Sequence, residues 1–292
     1  MSNKIPDSPK KLLQYITSAI KLEESPEEIT SIAHLIMEHI FGIDKTEIIV
    51  DRSINANKVQ AKELNKFIER LNNHEPVQYI IGEADFYGRK FKVNPGVLIP
   101  RNETEELVHL IIKENTGKKI KFLDIGTGTG CIPITILKEL KGSRAFAIDI
   151  DPRVIKTARQ NAELHQVQVE FMLIDILNES IPQHGLDVIV SNPPYVTETD
   201  KKEMKSNVLK HEPARALFVE DADPLLFYRR IAELAKNALK EEGALYFEIN
   251  EKYGEDIQAL LEAMEYSNVQ VIKDLNGKNR IVRASNSINV FS

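Results

Sequence analysis

The sequence predicts an α/β fold: a doubly wound, mostly parallel seven-stranded sheet preceded by a small N-terminal helical domain and a β-hairpin connector. Three observations predict it. From about residue 104 onward, short apolar runs alternate with amphipathic stretches of helical period, and strands separated by helices of roughly 10 to 15 residues imply right-handed βαβ units. The first of those strands runs into a turn with three alternate glycines, Gly126, Gly128 and Gly130. The first 75 or so residues read as helical throughout.

The helical start is written in cap residues. Ser25-Pro26-Glu27-Glu28 supplies an N-cap, a proline at the first helical position and a glutamate three residues after the cap. Ile29, Ile32, Ala33, Leu35, Ile36 and Ile40 then form an apolar face that ends at Gly42. A second amphipathic helix is expected from about Lys58 to Leu71, with Val59, Leu64, Phe67, Ile68 and Leu71 inward. Next, β-type runs flank Tyr87-Gly88-Arg89-Lys90, a hairpin pattern, and the stretch from Pro100 to Glu106 opens a helix reaching Asn115.

The alternation that follows is regular. Strand KIKFLDIG precedes helix CIPITILKELKG, strand RAFAIDI precedes helix PRVIKTARQNAELHQ, and strands VEFMLID and LDVIVSN come next. After an irregular charged stretch, a helix is expected from about Pro224 to Leu239, strand GALYFEIN, a helix from about Lys252 to Met264, and late strands near Val269 to Lys273 and Arg280 to Arg283. The expected domains are residues 1–75 (helical), 76–103 (hairpin linker) and 104–292 (α/β).

Composition narrows the class of protein. The 292 residues are 42% hydrophobic and 28% charged, with no tryptophan, as in an ordinary soluble globular chain. A formal net charge of −6 counts against a surface built mainly to neutralise nucleic-acid phosphates. Cys131 is the one cysteine, so no internal disulfide forms. No apolar run reaches membrane-spanning length, and a cytoplasmic protein is expected. The seven histidines are scattered, His34 and His39 stand five apart, and no Cys/His cluster has zinc spacing, so no metal is expected.

In open α/β sheets, ligands bind beyond the carboxyl ends of the strands. Here the first strand ends in Asp124-Ile125-Gly126-Thr127-Gly128-Thr129-Gly130, the second at Asp149, the third at Asp175 and the fourth at Asn192. The glycines allow a tight turn and close backbone approach by a ligand, and Asp149 stands where a carboxylate takes both hydroxyls of a ribose. The turn is G-x-G-x-G, not the G-x-G-x-x-G that seats a pyrophosphate, and three acids are poor company for a diphosphate. A nucleoside with a cationic centre suits them, and S-adenosylmethionine is such a ligand. Its ribose would meet Asp149, its adenine amine Asp175, and its sulfonium and amino-acid end Asp124 and the turn. Each acid alone reads equally as a helix cap; four polar strand ends in chain order weaken that alternative.

FLDIGTGTGCIPI followed by SNPPY resembles the Rossmann-like class of S-adenosylmethionine-dependent methyltransferases. Within that class, Asn-Pro-Pro-Tyr is the signature of enzymes that methylate an NH2 group attached to a planar π system. Such a nitrogen is a poor nucleophile because its lone pair is delocalised. The resemblance implies that the Asn192 side-chain oxygen and the Pro193 carbonyl accept its two N–H groups, turning the lone pair toward the methyl group, while Tyr195 packs on the flat group and Pro193-Pro194 keep the segment stiff. The implied catalytic set is Asn192, Pro193, Pro194 and Tyr195. The implied cofactor set is Asp124, Gly126, Thr127, Gly128, Thr129, Gly130, Asp149, Ile150, Asp175, Ile176 and Asn192, with S-adenosylhomocysteine as product.

Adenine N6, guanine N2, cytosine N4 and glutamine N5 all fit this chemistry. The segments PVQYIIGEADFYG, VLIPRNETEELV, HEPARALF, FYRRIA and KDLNGKNRIVRA closely resemble the HemK-type protein-(glutamine-N5) methyltransferases, from about residue 75 to 284. That family modifies the glutamine of the Gly-Gly-Gln motif in peptide chain release factors, and its N-terminal domain helps hold the release factor. The resemblance implies a release factor as protein partner, no direct nucleic-acid contact, no membrane and a monomer. A ribosomal-protein glutamine is the rival substrate, an adenine-N6 nucleic-acid methyltransferase the second reading, and a non-catalytic cofactor-binding module the third. Two positions depart from the family pattern: Asn102, where P-R-P-E-T-E has proline, and Asn250, where E-I-G has glycine.

Several residues carry plainer readings. Cys131 opens a helix, where a thiol pKa can fall, but also reads as a small residue that fits beside a ligand. Glu103 and Glu105 suit the first turn of any helix, while the resemblance makes their segment a cover over the cofactor. His211 reads as structural as readily as part of a substrate-side loop. TETDKKEMKSNVLK reads as a solvated surface or as a flap beside the Asn-Pro-Pro-Tyr segment.

Overall fold

The computed structural model describes residues 5–203 and 206–286, and these divide into two units. One runs to Glu83 and includes the short helix Ser206–His211; the other is the remainder from Ala84 onward. Met204 and Lys205, within the charged run TETDKKEMKSNVLK, lie outside the described residues.

The first unit contains α1 (Pro9–Ala19), α2 (Pro26–Phe41), α3 (Lys45–Val50), α4 (Lys58–Asn72) and α5 (Val77–Ile81). The Ser25 side chain accepts the Glu28 N–H at 3.2 Å, Pro26 fills the first position, and Gly42 closes α2 at φ +65°. Capping boxes start α3 at Asp44 and Glu47, and α4 at Asn57 and Gln60. Leu12, Ile16, Ile36, Met37, Leu64 and Leu71 form the centre of this unit's core. Val59, expected inward, is 73% exposed: it sits in the capped first turn, before the apolar stripe of α4 begins at Leu64.

The second unit opens with the hairpin β1 (Glu83–Phe86) and β2 (Arg89–Lys92). Tyr87 and Gly88 both have positive φ, the backbone that matches the twist of paired strands. Then follow α6 (Asn102–Glu114), β3 (Lys121–Ile125), α7 (Cys131–Glu139), β4 (Arg144–Asp149), α8 (Pro152–Leu164), β5 (Val169–Leu173) and β6 (Leu186–Ser191). Two-residue strands β7 (Val196–Thr197) and β8 (Phe218–Val219) pair in parallel and bracket the charged run, α9 (Ser206–His211) and α10 (Ala214–Leu217). The chain ends in α11 (Leu226–Ala238), β9 (Leu239–Glu248), α12 (Gly254–Ala263), β10 (Tyr266–Lys273) and β11 (Asn279–Asn286).

The seven strands lie in the order β10-β11-β9-β6-β3-β4-β5, with β11 antiparallel to both neighbours and the other pairings parallel. Successive side chains of a strand face opposite sides. Phe122, Ala145, Val188 and Tyr246 therefore pack on the α6–α8 side, whereas Leu123, Ile189, Leu245 and Phe247 pack against α11 and α12. The chain moves outward from β3 through β4 to β5, then returns to β6 on the other side of β3. That reversal opens a crevice beyond the carboxyl ends of β3, β4 and β6.

Some boundaries differ from expectation. β5 stops at Leu173, so Asp175 lies two residues past the strand. β9 begins at Leu239 rather than Gly243, absorbing the expected end of the preceding helix. Its register against β6 shifts between Leu186 and Val188, which pair with Leu239 and Ala244, so β9 carries extra residues there that bulge out of the ladder.

Candidate active site

A cleft of about 390 Å³ occupies the crevice. Its floor is the glycine turn. Gly126 and Thr127 both donate N–H groups to the Ile148 carbonyl, at 2.9 and 3.0 Å, so the turn is pinned across the end of β4. Gly126, Gly128 and Gly130 all have positive φ. At Gly130 an added Cβ would stand 3.3 Å from the Ala158 Cβ and 3.2 Å from Ile134 Cδ1, so that glycine also permits the close packing of α7 on α8.

Asp149 is tied to this floor: Oδ2 accepts the Gly128 N–H and Oδ1 the Asp151 N–H, each at 3.1 Å. Burial raises its pKa. Asp151 caps α8 and pairs with Arg153, which holds its carboxyl down at about 2. Asp175 lies across the cleft, its Oδ1 accepting the Leu177 N–H and its Oδ2 the Asn178 side-chain amide. It therefore closes a local turn, with no helix following it, while also lining the cleft.

Asp124 is placed differently. It lies beneath the turn, fully buried, and is not among the residues that line the cleft. Neither carboxylate oxygen has a hydrogen-bond partner among the described residues. Burial pushes the carboxyl up to about 7; the neighbouring Thr127 hydroxyl offsets this in part without reaching hydrogen-bond geometry. Cys131 is buried too, though it also lines the cleft, and desolvation raises its thiol to about 12 rather than lowering it. It is a small packed residue beside the cleft.

Gly126, Thr127, Gly128, Thr129, Asp149, Ile150, Asp175, Ile176, Asn192, Pro193 and Pro194 line the one cleft, so strand ends far apart in sequence converge. Tyr195 stands behind it. Its ring packs against the α11–α12 side of the core, and its hydroxyl donates to Glu248 Oε1 at 3.3 Å. Asn192 donates through Nδ2 to the Thr104 hydroxyl at 3.2 Å, and Thr104 donates to Glu248 Oε2 at 2.6 Å.

Three contributors were not singled out as site residues from the sequence. Asn161, on α8, donates to the carbonyls of Thr129 and Lys92 and accepts the Lys92 N–H, bracing the turn against the hairpin. Glu212, its side chain 1% exposed, accepts a two-oxygen contact from Arg101 beside the cleft-lining Pro213, Arg215 and Ala216. Glu248 is the third. An acid directly after a strand's apolar run and an asparagine amid a helix face are weak signals alone. His211 groups with the first unit, its Nε2 3.3 Å from the Asn73 carbonyl.

Of the two departures from the family pattern, Asn250 has φ −67°, an ordinary backbone needing no glycine, and its side chain caps the turn at Lys252. Asn102 opens α6 without a side-chain cap at Arg101. Among the described residues no group of three or more His, Cys, Asp or Glu is arranged to hold a metal, and no helix is long and apolar enough to cross a membrane.

A doubly wound sheet with a glycine turn, a distal acid and an Asn-Pro-Pro segment meeting in one cleft defines a methyltransferase of the Rossmann-like class. The family description "Methyltransferase small domain" matches residues 102–220, and "PrmC N-terminal domain" matches residues 11–82. A methyltransferase structure from Pyrococcus furiosus, 19% identical, shares the fold with a TM-score of 0.50 over 70% of this chain and 91% of that one. The release factor glutamine methyltransferase of Bacteroides thetaiotaomicron is 46% identical over 94% of this chain and 99% of its own length. That of Flavobacterium psychrophilum is 42% identical over 89% and 92%. The chain belongs to the release factor glutamine methyltransferase family.

Proposed function

We propose that the protein transfers a methyl group from S-adenosylmethionine to the N5 side-chain amide of the glutamine in the Gly-Gly-Gln motif of peptide chain release factors. The observation that carries this reading is the convergence of Asn192 and Pro193 with the glycine turn and Asp149 in one cleft.

The residues present fit the cofactor. Asp149 faces the cleft with acceptor capacity for ribose hydroxyls, and Asp175 has acceptor oxygens for an exocyclic amine. Below the floor, Asp124 places a buried carboxylate with no compensating partner, which favours a cationic ligand above it. When bound, S-adenosylmethionine supplies an electrophilic methyl group on a sulfonium.

The protein's part is orientation. Nδ2 of Asn192 is committed to Thr104, so Oδ1 is left as the acceptor for one N–H of the substrate amide; the Pro193 carbonyl accepts the other. Both N–H groups held in the amide plane leave the nitrogen lone pair perpendicular to it, along the line of attack. As the nitrogen gains positive charge, both acceptors bind it more strongly, which lowers the barrier selectively. The site needs no strong base, since the N–H proton is acidic once the nitrogen carries the methyl group and leaves to water.

The helical unit is assigned to release-factor docking, and the protein acts as a cytoplasmic monomer without direct nucleic-acid contact. The test is methyl incorporation from labelled S-adenosylmethionine into a purified release factor, its Gly-Gly-Ala variant, a ribosomal protein and duplex DNA. Label confined to the intact release factor is expected. Label in DNA or ribosomal protein instead would refute the substrate while leaving the amine-orienting site intact.

A further inference from the structure

The carboxylate of Glu248 has no part in the chemistry set out above, yet it is buried at the end of β9 with both oxygens engaged. One oxygen takes the Thr104 hydroxyl and the other the Tyr195 hydroxyl, so it joins α6 to the Asn-Pro-Pro-Tyr segment. We propose that Glu248 and Thr104 are positioning residues that dictate which end of the Asn192 amide faces the substrate. The inference rests on the orienting role of Asn192 given under the proposed function.

The argument is one of donor count. A threonine hydroxyl has a single proton to donate. When Glu248 is ionised that proton goes to Oε2, at 2.6 Å, and only a lone pair is left for Asn192. A lone pair accepts from Nδ2 and repels Oδ1, so the amide is held with Oδ1 as its remaining acceptor. A protonated Glu248 reverses the chain. Its O–H donates to Thr104, the threonine proton turns to Asn192, and the amide is favoured with Oδ1 inward and Nδ2 toward the substrate. Two donors then oppose a substrate NH2 group that must itself donate.

The groups around Glu248 set when this happens. Thr104 and Glu103 face it from α6, Tyr195 from the segment after β6, and Arg280 from β11; the Tyr228 hydroxyl bonds its carbonyl, and the Cys131 thiol is close enough to feel its charge. Burial raises the carboxyl to about 7; the Thr104 bond and Arg280 pull down and Glu103 pushes up. Turnover is therefore lost as pH falls through the neutral range, with no direct contact between Glu248 and substrate.

The experiment measures kcat, release-factor KM and S-adenosylmethionine Kd across roughly pH 5.5 to 8.5 for wild type, T104V, T104S, E248Q and N192A. T104V is expected to lose on the order of 10²-fold in kcat, as when an orienting donor or acceptor is removed, with cofactor Kd within about twofold. T104S, which keeps the hydroxyl, recovers most of that loss. E248Q, which takes up no proton across this range, is expected to lose the acid limb of the wild-type profile. Wild-type kcat in T104V, or an unchanged acid limb in E248Q, overturns the proposal; if T104V does not fold, the E248Q profile decides alone. N192A separates the two levels: its failure to lose turnover refutes the role of Asn192 itself, whereas an inactive N192A beside a fully active T104V refutes only the positioning chain.

Discussion

Arg101 and Glu212 are joined through a single guanidinium nitrogen: Nη2 of Arg101 donates to both carboxylate oxygens of Glu212, at 2.7 and 2.8 Å. The pair spans the chain from the start of α6 to the turn before α10 and closes one side of the cleft. Removing one partner of a buried pair leaves the other charge uncompensated, which costs on the order of 3 kcal/mol. Arg101→Ala is therefore expected to lower the melting temperature and to weaken S-adenosylmethionine binding together. Calorimetric titration alongside thermal melts checks this; a melt shift with unchanged affinity would show that the pair braces the fold without shaping the cleft.

Gly130 has φ +79°, and a methyl group there would crowd Ala158 Cβ at 3.3 Å. Gly130→Ala is expected to cost about 1–3 kcal/mol through the strained backbone alone and to weaken cofactor binding by displacing the turn from α8. Urea unfolding with a parallel binding titration reads both effects. An alanine variant as stable as wild type would mean that the turn relaxes freely.

Asn161 satisfies three backbone groups of the hairpin and the glycine turn from within α8. In Asn161→Ala those groups lose their partners, at about 1–3 kcal/mol for each that stays dry. Hydrogen exchange should show faster exchange at the Lys92 amide, whose acceptor is lost, before any change at the distant β10–β11 edge. Uniform acceleration throughout the sheet would instead indicate global destabilisation.

Asp124 links stability to pH. Its folded pKa of about 7 lies above the ordinary 3.8, so the folded protein holds a proton there that the unfolded chain has already released. Stability from this group therefore falls as pH rises from about 4 to about 7 and stays reduced above that. Asp124→Asn should raise the cofactor-free melting temperature at pH 8, have little effect near pH 4, and weaken S-adenosylmethionine binding. A lower melting temperature at pH 8 would show that the charge is compensated in the folded state.

The sequence made some of this legible and hid the rest for physical reasons. Gly126 to Thr129, Asp149 and Asn192 were readable because turn chemistry and strand ends are local, and a parallel sheet brings successive strand ends to one edge; Gly130, expected beside the cofactor, does not line the cleft and packs against Ile134 and Ala158 instead. Glu212 with Arg101, and Glu248 with Thr104, are 111 and 144 residues apart, and no local pattern encodes such pairings. Asp124 misled in the other direction. It belongs to the same glycine motif, but the alternation of β3 turns it under the floor on the Phe122 side instead of into the cleft. Val59 failed as a core residue because the buried stripe of α4 starts only at Leu64, about two turns after its cap at Asn57.

The central claim is that Asn192 orients a glutamine amide for methylation. Tandem mass spectrometry of a release factor after reaction with the wild-type protein and with Asn192→Ala, under saturating S-adenosylmethionine, tests it most directly. The expected result is one methyl group, located on the side-chain nitrogen of the Gly-Gly-Gln glutamine, and a yield in the variant lower by orders of magnitude at equal cofactor affinity. A methyl group on any other atom, or an equal yield from the variant, would contradict it.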